Sequence, residues 1–129
     1  ELGDSLVERE SAELAGQLIA KAEAAGVRLL LPTDAIVADA FSADAKTQTV
    51  GVDSVTAGWR VLDIGPETVR RYRDEIAGAA LLIWNGPMGV FELDPFAGGT
   101  RAVAQAMADA AARGATTIVG GGDSVAAVE

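Results

Sequence analysis

The chain has no cysteine and no histidine, and its only lysines are Lys21 and Lys46. Without cysteine there are no disulfides and no thiolate sites, which is compatible with a reducing compartment. Without histidine, imidazole acid–base catalysis and histidine metal sites are excluded. The 10 basic residues face 19 acidic ones, a net charge of −9. That balance argues against nucleic acid as a partner, because phosphate backbones are held by Lys and Arg. No apolar run approaches the length that spans a bilayer, and the N-terminus shows no signal-peptide pattern. A cytoplasmic location away from membranes is the expectation.

What is present is a globular composition. Half of the 129 residues are hydrophobic and 22% are charged, enough for one domain with a single core. Ser5 to Ala25 has helical periodicity and Gly26 stops it. Val27 to Leu31 reads as a buried strand closed by Pro32, and Ala35 to Ala38 as a second short strand. Thr47 to Asp53 alternates like an edge strand, and Trp59 to Ile64 forms another. Pro66 suits a first helical position, with Glu67 to Ala77 as the helix behind it. Ala80 to Trp84 is a strand, Phe96 to Arg113 a helix ended by Gly114, and Ala115 to Val119 a strand leading into a helix from Asp123. This alternation predicts an α/β fold, a three-layer α/β/α arrangement with a mainly parallel sheet. The chain opens into one helix and closes inside another, as part of a larger domain would.

Two segments stand at the ends of apolar runs, Asn85-Gly86-Pro87-Met88-Gly89-Val90-Phe91-Glu92 and Gly120-Gly121-Gly122-Asp123-Ser124. Each reads as a strand running into a loop whose backbone is open to a ligand at the carboxyl edge of the sheet. In the second, glycines without Cβ let phosphate approach N–H groups at a helix start. Asp123 is a candidate magnesium ligand and Ser124 a phosphate donor. The alternative is a plain strand-to-helix turn with Asp123 or Ser124 as N-cap. In the first, Asn85 faces a ligand and Glu92 accepts from ribose hydroxyls, or the segment is only a stiff turn. Neither segment is a Walker loop or a dinucleotide fingerprint. The scarcity of lysine sits awkwardly with phosphate chemistry, which needs cations aimed at the moving group. Asp34, Asp39, Asp44, Asp53 and Asp63 are expected to be solvated or capping. Trp59, Trp84, Tyr72 and Phe41 are expected in the core.

Several runs resemble the phosphoglycerate kinase family. They are Trp84 to Glu92, Phe96-Ala97-Gly98-Gly99-Thr100 and Gly114 to Ala127, with Leu29 to Pro32, Ala38-Asp39, Phe41-Ser42 and Leu62 to Pro66 upstream in matching order. The resemblance covers nearly the whole chain. Gly98 stands where the family commonly has a charged residue, and Val61 where it often has glycine. The resemblance implies a partial, Rossmann-like nucleotide-binding domain over residues 1–129, the later part of the C-terminal domain. It implies phosphoryl transfer between ATP and the carboxylate of 3-phosphoglycerate, with ADP and 1,3-bisphosphoglycerate as the counterparts, Mg2+ as cofactor and a monomeric enzyme. Asn85 would lie near the nucleotide phosphates, Glu92 at the ribose, and Leu62 and Pro87 in the nucleoside pocket. Gly120, Gly121 and Gly122 would border the transferring group, Asp123 would serve the Mg-nucleotide, and Ser124 would contact phosphate.

By the same resemblance, the substrate domain, the phosphate-binding lysine with its glycine-rich stretch, and a last glycine loop are missing here. Those segments carry the family's cations, which accounts for the scarcity of lysine. The chain alone is therefore expected to be inactive. The alternative is a non-catalytic nucleotide-binding or regulatory module that kept the loops.

Overall fold

A computed structural model describes residues 3–129. Helix α1 (Ala12–Ala24) follows a short 3-10 turn at Arg9–Ser11. It ends where glycine is needed. Gly26 has φ +71, its N–H donates to the Glu23 carbonyl, and Val27 N–H reaches back to Ala22 O at 2.9 Å. Such a paired closure depends on a left-handed residue at the stop. Gly114, with φ +101, closes helix α3 (Gly98–Ala112) in the same way.

Strands β1 (Asp34–Ala38), β2 (Thr47–Gly51) and β3 (Arg60–Ile64) form one sheet in the order β2-β1-β3. Strands β4 (Leu81–Asn85) and β5 (Thr116–Gly120) form a second. The α/β class is as expected, but the mainly parallel pairing holds only in the second sheet. β1 runs antiparallel to both its neighbours, while β4 and β5 are parallel. Residues 39–46 join β1 to its neighbour β2 without a helix, a link that suits a turn back and so an antiparallel pair. Residues 52–59 then carry the chain past β1, so β3 points the same way as β2 and pairs with β1 antiparallel on its other side. The parallel pair β4 and β5 is joined through α3. β2 is an edge strand, as its alternation suggested.

The run Val27 to Leu31, expected as a buried strand, is not one. It pairs with no strand among the described residues, and Val27, Leu29 and Leu31 are half-exposed or more. A continuous apolar strand is stable only with neighbours on both sides, and here it has none. One face of β4–β5 packs Leu82 and Trp84 towards α3, whereas Leu81, Ile83 and Ile118 point to solvent. The second covering layer of a three-layer fold is thus not supplied by the described residues. Helix α1 buries no residue.

Helix α2 (Pro66–Ala77) is capped from a distance. The Asp34 carboxylate on β1 accepts Glu67 N–H at 2.9 Å, Thr68 N–H at 2.8 Å and the Thr68 hydroxyl at 2.6 Å. Burial pushes the Asp34 carboxyl up, but these hydrogen bonds outweigh it and hold it below its ordinary value of 3.8. A carboxylate so held adds stability above pH 3.8 and loses it as pH falls through the folded value. We expect Asp34→Ala to cost about 1–2 kcal/mol at pH 7, as for a lost N-cap. In urea melts repeated at decreasing pH, the gap between variant and wild type should close only below pH 3.8. A gap indifferent to acid would contradict this account of the cap.

The core lies in two clusters. Ala38, Leu62 and Phe96 form one, joined by Ile36, Ala45, Val90 and Leu93. Trp84, Val103 and Met107 form the other, joined by Ile76, Leu82, Met88 and Val119. Trp84 and Trp59 are largely enclosed as expected, but Phe41 is 59% exposed.

Candidate nucleotide site

The carboxyl ends of β4 and β5 meet because their strands are in parallel register, Asn85 opposite Gly120. Both glycine segments leave the sheet from that point. Gly121 has φ +85 and opens helix α4 (Gly122–Val128). A Cβ there would stand 3.2 Å from Asn85 Oδ1, in a conformation that L side chains rarely adopt. Glycine is therefore required by both the backbone and the neighbouring amide. The first N–H groups of α4 have no carbonyl one turn back to receive them. Gly121 O takes only the Val125 N–H, at 3.1 Å. Asp123 is exposed in this first turn.

Ser124 is placed differently from expectation. It is fully buried, and its Oγ accepts the Gly86 N–H at 2.6 Å. The hydroxyl ties the two glycine segments together.

The first segment is not the open loop its glycines suggested. Its N–H groups are largely taken by protein acceptors. Beyond Gly86, Met88 N–H and Gly89 N–H donate to the Thr100 hydroxyl at 3.1 and 3.4 Å, and Val90 N–H donates to Leu62 O at 2.9 Å. Trp84 Nε1–H closes on Gly86 O at 2.5 Å. What this segment offers a ligand is side chains, the exposed Asn85 and Glu92 and the half-buried Pro87. Leu62 is buried on β3 and reaches the segment through Val90. It borders a groove of about 940 Å³ that Phe41, Val61, Met88 and Val90 also line. Asn85, Gly120, Gly121 and Ser124 come together at the sheet edge. Leu62 belongs to the groove, which none of these four residues lines, and Pro87 and Glu92 lie on the segment that leaves the edge at Asn85 and reaches the groove at Met88 to Val90.

Asp63 was expected in solvent or at a cap, and it is a buried cap. It is 3% exposed, with Oδ2 accepting Gly99 N–H at 2.8 Å and Oδ1 accepting Ile64 N–H at 2.9 Å. Burial pushes its carboxyl above the ordinary value, and the two N–H donors pull the other way without overcoming it. A Cβ at Gly89 would lie 2.5 Å from Asp63 Oδ1, and one at Gly99 would lie 2.4 Å from it. Two backbones close on this carboxylate, and only glycine permits that. Nothing in the spacing of Asp63 signalled this, although the glycines at 89 and 99 were the trace of it.

The sequence profile of the family described as phosphoglycerate kinase matches residues 1–129. The chain belongs to the phosphoglycerate kinase family. The phosphoglycerate kinase of Chloroflexus aurantiacus is 69% identical over 128 residues, which is 99% of this chain and 32% of that protein. That of Roseiflexus castenholzii is 61% identical over 129 residues, again 32% of its length. The solved phosphoglycerate kinase of Coxiella burnetii matches 99% of the chain at 45% identity with a TM-score of 0.94. That of Pyrococcus horikoshii matches at 28% identity and a TM-score of 0.65. The chain spans about a third of the length of these relatives.

Proposed function

We propose that this chain supplies part of the Mg-nucleotide site of a kinase moving a phosphoryl group between ATP and the carboxylate of 3-phosphoglycerate, a step of glycolysis and gluconeogenesis. One observation carries the reading. The register of β4 and β5 sets Asn85 against Gly120, so an amide side chain and a Cβ-free loop share one sheet edge. In a parallel sheet that edge is where ligands bind. The Gly120–Gly122 backbone admits phosphate oxygens closely, and the unpartnered N–H groups of the following turn can meet them. Glu92 would accept from ribose hydroxyls. Leu62 and the exposed Phe41, which line the groove, and Pro87 on the segment leading to it would hold the base.

Asp123 offers a hard, exposed oxygen donor in the first turn of α4, chemistry that suits a magnesium ion. An ion there would be held by one carboxylate, phosphates and water rather than by a protein cage. Bound there, the ion would offset negative charge on the transferring group. The protein's share is orientation. Asn85 and the glycine backbone would set the phosphates, and Glu92 the sugar, so that the terminal phosphoryl group lies in line with its acceptor.

Four of the arginines are engaged by other groups: Arg28 pairs with Glu75, Arg70 with Glu67 and Asp74, and Arg101 with Asp94, while Arg113 donates to Ala77 O. By the family resemblance the cations that neutralise the transferring group come from segments this chain lacks, and transfer without them loses most of its electrostatic stabilisation. We therefore expect the 129-residue chain to show no turnover in a coupled ADP-release assay, whereas the longer cytoplasmic protein carrying it, a monomer, turns over. Any weak Mg-ADP binding by the chain should vanish in the Asp123→Ala, Glu92→Ala double variant by calorimetry. A longer protein that fails to form ADP from ATP and 3-phosphoglycerate would refute the proposed reaction.

A further inference from the structure

The groups that would meet the nucleotide on the first segment, Pro87 and Glu92, have no anchor of their own. Their place depends on the backbone between them, and that backbone hangs on a side chain from another element. Thr100, in the first turn of α3, is 1% exposed. Its single oxygen accepts two successive N–H groups, from Met88 and Gly89. Its own position is set one residue earlier, where Gly99 N–H donates to the Asp63 carboxylate on β3. Gly89 also lies against that carboxylate, too close for any Cβ. A buried polar path thus runs from β3 through the start of α3 to the middle of the loop. We infer that Thr100 is a positioning residue for the nucleotide, fixing the loop that presents Pro87 and Glu92, with Asp63 fixing Thr100 in turn. The inference rests on the nucleotide-site reading above.

The other anchors of the loop do not substitute for it. Ser124 and Trp84 hold only the entrance, at Gly86, and Leu62 O holds only Val90. Without the Thr100 hydroxyl, two consecutive N–H groups in a half-buried loop lose their acceptor, and the loop must move to satisfy them. That displacement moves Pro87 and Glu92 on the nucleotide side, but also Met88 in the second core cluster, so the phosphoglycerate KM and the serine rescue are what separate positioning from a general loss of stability.

The test uses the longer protein carrying this chain. Thr100→Val keeps the shape and removes the acceptor, and Thr100→Ser keeps the acceptor and removes a methyl group. We expect Thr100→Val to raise the nucleotide KM by about tenfold, the scale of one to two lost neutral hydrogen bonds. The KM for the phosphoglycerate should stay put, and Thr100→Ser should restore the nucleotide KM. Should the valine variant not fold, Thr100→Cys, with a weakly accepting thiol, replaces it, and a rise between the two others is expected. An unchanged nucleotide KM, a parallel rise in both KM values, or a serine variant as impaired as valine would overturn the inference. If the wild type shows no transfer, the proposed reaction fails instead. The variants are then compared by calorimetric Kd for Mg-ADP, where the same pattern supports the role of Thr100 and equal affinities refute it.

Discussion

Phe96→Ala is expected to cost about 3–5 kcal/mol, the range for emptying a fully buried aromatic site. Phe96 is 0% exposed and closes the 3-10 turn at Asp94–Phe96, between the candidate ligand loop and α3. It packs with Ala38 of β1 and Leu62 of β3, and Val90 and Leu93 of the loop lean on the same cluster. A domain of this size commonly has about 5–15 kcal/mol in total, so the variant should be marginal. The core of this cluster is also the back of the groove that Leu62 and Val90 line. Loss of Phe96 therefore loosens that wall before the chain unfolds. Phe41→Ala serves as the comparison, because Phe41 is 59% exposed and its loss should shift stability by less than about 0.5 kcal/mol. The measurement is the urea midpoint at constant m-value. Equal midpoints for the two variants would show that the cluster is not the centre of the fold.

Much of this was legible because the signals were local. Gly26 and Gly114 announced helix ends, Pro66 announced a helix start, and the alternation from Thr47 to Asp53 announced an edge strand, observed over Thr47–Gly51. Each depends on backbone geometry within a few residues. Pairing direction was not legible in the same way. It depends on which strand lies beside which, and nothing local showed that the chain would pass from β2 over β1 and pair β3 with β1. Val27 to Leu31 shows the limit from the other side. Its composition is that of a central strand, yet a strand exists only where neighbours complete its hydrogen bonds, and the described residues provide none.

The candidate site divides along the same line. Glycine content flagged both segments, since few folds put so many Cβ-free positions together without a reason. Their different uses were invisible, because the acceptors that fill the first segment come from Thr100, Leu62 and Ser124, distant in sequence. Asp63 was hidden for the same reason. Its burial is made by Gly89 and Gly99, which reach it from 26 and 36 residues away (89 − 63 and 99 − 63). Ser124, expected at a phosphate, is the clearest case. A hydroxyl after a glycine run signals a ligand contact and an internal tie equally well, and only the 2.6 Å bond from Gly86 N–H separates them.

Asp123→Asn is expected to lower kcat/KM of the longer protein by about 10²–10³-fold, the scale for removing one preorganised electrostatic contact at a transferring group. The argument turns on isolation. Asp123 is exposed in the first turn of α4, while its neighbour Ser124 is buried and engaged within the protein. Asparagine keeps the size and the capacity to accept a hydrogen bond, so only the charge that would hold magnesium is lost. Thermal stability should move by less than about 0.5 kcal/mol, as for an exposed position. Raising magnesium should recover part of the activity, since the phosphates remain as ligands. Ser124→Ala should do the reverse. It orphans the Gly86 N–H, costing about 1–3 kcal/mol of stability, and leaves the magnesium dependence of the remaining activity unaltered. Stability by denaturant melts and activity over a magnesium titration, measured on both variants, separate the two roles. Full activity in Asp123→Asn with the wild-type magnesium response would remove Asp123 from the site.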